Sequence, residues 1–167
     1  LYLRAAEQDY PRGQLCMGFC CERGRGVPLD PSAAADWYRK AAEQEDEDAQ
    51  CCLGFLYESG QGVEQSWEDA VRWYRAAAEQ GMPRAQCNLA WCYEYCLYEY
   101  GKGVEQNWKR AVHWYRQAAD QEDPRGMFCM GICCKYGRGV EQNWEEAVQW
   151  YRRAVDAGSA AAMCNLG

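Results

Sequence analysis

The sequence has little of what an enzyme site is usually assembled from. It contains one histidine, His113, and few serines, so the Ser-His and Cys-His arrangements of nucleophilic catalysis have almost nothing to draw on. A phosphate-cradling loop is missing too: the Gly-x-Gly-Val tetrapeptides follow no strand pattern and carry no Lys-Ser/Thr. Positive charge is in short supply. The 18 Lys and Arg stand against 25 Asp and Glu, for a net charge of −7, which argues against the basic footprint that neutralises nucleic-acid phosphates. No apolar run approaches the roughly 20 residues that a membrane-spanning helix needs. The opening LYLRAAEQDY lacks the charged, apolar and small-residue order of a signal peptide. Carboxylates are plentiful but fall on polar faces, without the burial that would tune them for acid–base work. The expectation is a non-enzymatic chain with no catalytic residue, no cofactor, no membrane span and no nucleic-acid partner.

What is present in excess is repetition. Gly-x-Gly-Val begins at Gly24, Gly60, Gly101 and Gly137, and Trp-Tyr-Arg at Trp37, Trp73, Trp114 and Trp150; both sets are spaced 36, 41 and 36 residues apart. Within each unit the two motifs stay 13 residues apart, so the extra residues of the third unit precede Gly101. A period in the thirties marks helical repeat arrays. The units run over about 11–45, 46–81, 82–122 and 123–158, with partial units at both ends. The chain begins without Met and mid-motif, and stops mid-motif, which reads as a fragment of a longer protein.

Inside one unit, Ala49, Leu53, Leu56 and Tyr57 share one face of a first helix, and Gly60-Gln-Gly62 reverses the chain. A second helix opens at Ser66, Asn107 or Asn143, or at Asp30-Pro31 in the first unit. Ser66 with Asp69, and Asn143 with Glu146, predict a capping box. The second helix carries Ala70, Trp73, Tyr74, Ala77 and Ala78, alanines for close approach and aromatics to fill the space between helices. Gly81 and Gly158 end it, whereas Glu45 and Glu122 at the same site predict a different turn. The acidic run Glu45-Asp46-Glu47-Asp48 reads as a solvated junction whose carboxylates favour the next helix N-terminus.

The combined pattern, Leu53-Gly54-x-x-Tyr57-x-x-Gly60-x-Gly62-Val63 followed by Ala70-x-x-Trp73-Tyr74-x-x-Ala77-Ala78, resembles the Sel-1-like repeat (SLR) family, cousins of the tetratricopeptide repeats. The resemblance spans essentially the whole chain. Ala90 departs from it at the Leu-Gly glycine, and Cys21 and Cys134 at the tyrosine, substitutions expected to adjust local packing only. The resemblance implies an all-α, right-handed α/α superhelix of about four helix-turn-helix repeats, acting as a scaffold or adaptor for a protein or peptide partner.

Each of the 12 cysteines falls on a first helix or its extension. Secreted cysteine-rich relatives bridge the two helices of a repeat, by resemblance, and that pairing is impossible here. Neighbouring helix axes lie about 8–10 Å apart while a disulfide wants Cα atoms within about 7 Å, so a reduced, cytoplasmic or otherwise intracellular setting is expected. Cys16 with Cys20, Cys92 with Cys96, and Cys129 with Cys133 are i, i+4 pairs on one helix face, which keeps a thiol-based metal or redox module as an alternative. Packing residues are the plainer reading, and no metal site is assigned.

On a helical wheel centred on Ala49, Cys51, Phe55 and Glu58 point away from the first-helix core face. The equivalent residues are Leu15, Phe19 and Glu22, then Cys87, Trp91 and Glu94, then Phe128, Ile132 and Lys135. This apolar stripe with an acidic margin is the candidate groove, which a partner with basic flanks would complement. In related helical solenoids the first helices line the concave surface. Lateral packing between helices is the competing use of the same residues. The insertion adds Tyr95 and Tyr98, suited to recognition or to covering the edge of the array. A spacer that merely presents flanking domains is the remaining alternative.

Overall fold

The computed structural model describes residues 2–94 and 106–166. Among these there are ten helices and no strand: α1 (Tyr2–Glu7), α2 (Pro11–Arg23), α3 (Pro31–Glu43), α4 (Glu47–Ser59), α5 (Trp67–Glu79), α6 (Pro83–Glu94), α7 (Trp108–Asp120), α8 (Pro124–Tyr136), α9 (Trp144–Asp156) and α10 (Ala160–Leu166). The chain divides into two units, 1–80 and 81–167. In the first, α2 pairs with α3 and α4 with α5, while α1 packs on α2 and α3 on α4. In the second, α6 pairs with α7 and α8 with α9, while α7 packs on α8 and α10 on α9. The Tyr95, Cys96 and Tyr98 of the insertion lie outside the described residues.

Each second helix starts where its sequence says it should. Asp30, Ser66, Asn107 and Asn143 are extended at the N-cap and accept from the backbone N–H three residues on, at 3.0–3.2 Å. The reciprocal half of the capping box does not form. The Ser66 backbone N–H donates instead to the Tyr57 carbonyl at 2.9 Å, and Asp30, Asn107 and Asn143 do the same to Cys21, Tyr93 and Cys134. Asp69, denied that donor, accepts from the Ser66 hydroxyl at 2.8 Å. The cap therefore clips the start of the second helix onto the last turn of the first, satisfying an orphan carbonyl and fixing the hairpin together.

The turns between repeats correct one expectation. Glu45 and Glu122 do not call for a different turn: they take positive φ of 64° and 62°, as Asp9 does at 63°, and the glycines take 98° (Gly81) and 91° (Gly158). The closing bond is shared with the Gly158 turn, since Asp46, Asp123 and Ser159 donate to the carbonyls of Ala41, Ala118 and Ala154 at 3.2, 3.1 and 2.8 Å. This is the 6→1 bond of a Schellman closure, adopted by glutamate at a cost of roughly 1–2 kcal/mol.

The glycines of Gly-x-Gly do two jobs. The first, at Gly24, Gly60 and Gly137, closes the first helix in the left-handed conformation. The second is set by contact between repeats: a Cβ on Gly62 would overlap the Pro31 carbonyl at the head of α3, and one on Gly139 would come within 2.5 Å of the Trp108 carbonyl at the head of α7. Gly26 has open space around it.

Two outcomes follow for chemical denaturation. Gly26→Ala should cost about 1 kcal/mol, the left-handed strain alone, and Gly62→Ala about 3 kcal/mol or more, because backbone must move; equal losses would contradict the contact. Glu45→Gly and Glu122→Gly should each stabilise by about 0.5–1 kcal/mol, as relief of strain exceeds the extra unfolded-state entropy of glycine, and a loss of stability would count against the shared turn.

Candidate protein-binding face

The second-helix tyrosines organise the surface around them. Tyr38, Tyr74, Tyr115 and Tyr151 are all buried, and the ring of each but Tyr115 lies against a first-helix glycine. A Cβ on Gly54 would meet the Tyr74 ring at 2.7 Å, and one on Gly131 the Tyr151 ring at 2.5 Å. Ala90 holds the glycine position opposite Tyr115 and is fully buried, so the repeat absorbs one methyl group without losing the arrangement.

At the far end of three of the rings the hydroxyl finds a carboxylate. Tyr38 donates to Glu22 at 2.5 Å, Tyr74 to Glu58 at 2.5 Å and Tyr115 to Glu94 at 2.7 Å. Glu94 is 9% exposed and also takes Arg138 at 3.3 Å. In the fourth repeat Lys135 stands in the glutamate position, and the buried Tyr151 hydroxyl has no hydrogen-bond partner. The acidic margin of the stripe is thus engaged by the array itself. Sequence reasoning missed these pairs; the signal was a glutamate one turn past the first-helix glycine, Glu22 after Gly18 and Glu58 after Gly54, with the tyrosine of Trp-Tyr-Arg sixteen residues on in the first two units.

A second ladder runs through buried glutamines. Gln44, Gln80 and Gln121 at the ends of second helices donate to Gln14, Gln50 and Gln86 at 2.9, 2.9 and 3.0 Å. The fourth repeat replaces both partners, with Met127 and Ala157.

The stripe reaches the surface unevenly. Leu15, Cys51 and Cys87 are buried, and the Cys87 thiol donates to Asp123, the cap of α8, at 3.4 Å. These three positions serve packing in this structure. Phe19, Trp91, Phe128 and Ile132 are half-buried, and Phe55 is 40% exposed. Phe19 meets Tyr38 edge to face at 5.5 Å, and Phe128 lies 5.9 Å from Tyr151. Phe19 also lines an open cleft of about 540 Å³ with Tyr2, Cys16, Cys20, Arg23 and Arg25. The acidic junction is less solvated than its composition suggests: Asp46 caps α4 through the Ala49 N–H at 3.0 Å, and Arg12 reaches both Asp46 and Asp48.

The described cysteines all sit on α2, α4, α6, α8 and α10. Among the described residues no three His, Cys, Asp or Glu side chains are grouped to hold a metal ion. Burial, ahead of the nearby Glu94, pushes the Cys129 and Cys133 thiols up to about 12, and burial with Glu146 pushes Cys134 to about 11. The nucleophilic thiolate is disfavoured at all three. Tyr38 and Tyr115 are raised well above the ordinary phenol, first by burial, and Tyr151 is pushed to about 12 by burial and then by Tyr136.

Paired helices with an uneven aromatic face define a helical-repeat protein. The Sel1 repeat matches at residues 11–46, 47–82, 83–123 and 124–159, and the chain belongs to that family. A Sel1 repeat protein from Oxalobacter formigenes superposes with a TM-score of 0.85 at 35% identity, over 95% of this chain and 63% of its own. A protective antigen of uropathogenic Escherichia coli with an SLR fold gives 0.56 at 28% identity, over 99% of this chain and 42% of its own. Cysteine rich protein B of Helicobacter pylori gives 0.63 at 25% identity, over 83% and 96%. The chain therefore spans less than two thirds of the first two relatives. Among curated proteins none matches it. Sel1 repeat proteins generally act as protein–protein interaction scaffolds and are typically non-enzymatic. No helix among the described residues is long and apolar enough to cross a membrane.

The raised phenols and thiols fix a pH dependence. Each group is neutral when protonated and titrates higher in the folded chain, so above its unfolded value, about 8.5 for cysteine and 10 for tyrosine, the unfolded chain has released protons that the folded chain retains. Stability then falls as pH rises. The melting temperature should decline progressively from about pH 9 to pH 11; a flat profile over that range would refute the burial of these groups.

Proposed function

We propose that the array captures a protein or peptide partner through its first helices, with the Phe19, Phe55, Trp91 and Ile132 position of successive repeats as anchors. One observation carries this: that position stays at least partly open in all four repeats, while the residue four earlier is buried in three of them. Aromatic groups half-sunk in a helix face give contact area at low ordering cost, which is the usual make-up of an interface hot spot. Basic flanks on the partner would meet the net charge of −7 as long-range attraction, since Glu22, Glu58 and Glu94 are committed to tyrosines and offer less direct pairing.

Phe55→Ala and Trp91→Ala should each weaken capture of the partner by the intact protein at least tenfold, about 1.4 kcal/mol, while circular dichroism and melting stay near native. Undiminished capture by both variants, with crosslinks mapping elsewhere, would remove the first-helix face from consideration.

A further inference from the structure

One carboxylate in the second unit serves two donors at once. Glu94, on the first helix of the third repeat, accepts from the Tyr115 hydroxyl at 2.7 Å and from the Arg138 guanidinium at 3.3 Å, and Arg138 also lies 4.9 Å from the ring centre of Trp108. Tyr115 is the tyrosine of Trp-Tyr-Arg, and Arg138 is the central residue of the Gly-x-Gly that comes after it. Shifted back by the spacing between Gly137 and Gly24, these two positions become Tyr2 and Arg25, so the first unit carries the same pair of donor side chains.

Tyr2 and Arg25 line the same open cleft of about 540 Å³, together with Cys16, Phe19, Cys20 and Arg23. Tyr115 is buried, whereas Tyr2 is 55% exposed and both arginines reach solvent. Among the described residues neither Arg23 nor Arg25 forms an ion pair, although carboxylates outnumber cations in the chain. Glu22, on the same helix, is engaged by Tyr38. Arg23 lies over the Phe19 ring, 5.7 Å from its centre. Leu56 and Cys133, which hold the place of Cys20 in the second and fourth repeats, are 1% exposed, while Cys20 is only half-buried. Two guanidiniums and a phenol beside apolar side chains suit a carboxylate carried on an apolar surface.

We propose that this cleft seats an acidic helix of the protein partner, one glutamate of which accepts from the Tyr2 hydroxyl and the Arg25 guanidinium while its apolar neighbours cover Phe19 and Cys20. A helix fits because the carboxylate that meets the equivalent tyrosine and arginine in the second unit stands on one, α6. A second copy joined head to tail is a poor match: Lys135 holds the glutamate position of the fourth repeat, and an ammonium would face Arg25. The proposal deepens the partner-binding reading and rests on it, adding an acidic group at the first repeat to the basic flanks expected elsewhere. A short peptide reaches the cleft without the rest of the groove, so the two are tested apart.

The probe is an acetylated and amidated peptide of the Pro83–Glu94 sequence carrying Cys87→Ser and Cys92→Ser, titrated into the intact protein and followed by the backbone amide signals of residues 16–26. Saturable shifts are expected there with a Kd on the order of 1 mM, and about three- to tenfold weaker binding when the peptide also carries Glu94→Gln. Arg25→Gln gives the first repeat the residue that the second holds at Gln61, and Tyr2→Phe changes an exposed side chain, so both should melt near native. Each should weaken binding about three- to tenfold, and Arg25→Glu should abolish it. Equal binding of the Glu94→Gln peptide, full binding by Arg25→Glu, shifts confined to other residues or no shifts at all would each overturn the assignment. So would a dimer in sedimentation that Arg25→Glu disperses, which gives the cleft to a second copy, or shifts seen with isolated residues 1–167 and not with the intact protein, which give it to the protein's own flanking sequence. Partner capture lost in Phe55→Ala and Trp91→Ala with no peptide shifts would keep the groove and remove the cleft; undiminished capture with the expected shifts would remove the groove and keep the cleft.

Discussion

The rest of each repeat depends on one contact: a tyrosine ring from the second helix laid against a first helix that has no side chain, or only a methyl, in its way. The ring brings the two helices to their separation, and its hydroxyl then projects beyond the small residue, where a carboxylate on the next turn can accept it. Burial strengthens that hydrogen bond and raises the penalty for leaving it unmade. The alanines on the same face as the tyrosine, such as Ala70, Ala77 and Ala78 on α5, are all but fully buried because the ring has already fixed how close the helices come.

Attachment of one repeat to the next uses backbone more than side chains. Within the first unit, the second glycine of Gly60-Gln-Gly62 lies against the head of α3, and within the second, Gly139 lies against the head of α7. Arg12 adds an ionic strap from α2 to the cap of α4. Because each contact joins only neighbours, the architecture tolerates a change in one repeat without redesign of the others. That tolerance lets the fourth repeat carry Lys135 opposite Tyr151 and still fold on the same plan.

Much of the fold was legible in the sequence because repeat period, N-cap residues and glycine turns are local signals. The caps at Asp30, Ser66, Asn107 and Asn143 stand at the positions their residue types indicate. The capping box failed for a non-local reason: the backbone N–H it needed is taken by a carbonyl of the preceding helix. Glu45 and Glu122 misled for a related one, since helix propensities say nothing of a turn whose φ is imposed by the packing on either side. The candidate face was legible only in part. Wheel geometry placed Phe55 and Phe19 on the outer side, but it could not know that Cys51 is buried, that Cys87 meets the cap of the following repeat, or that Glu58 and Glu94 are held by tyrosines.

The sequence by itself determined the repeat, its all-helical character, the ends of most helices and the confinement of cysteines to first helices, since each follows from spacing and residue type along one chain. Only the tertiary structure decided which face residues stay open, which carboxylates are already occupied and which tyrosine is left without one. Those outcomes depend on what a neighbouring helix brings across the gap. A pairing sixteen residues apart becomes visible as a hydrogen bond, or as the lack of one, only when two helices are laid side by side.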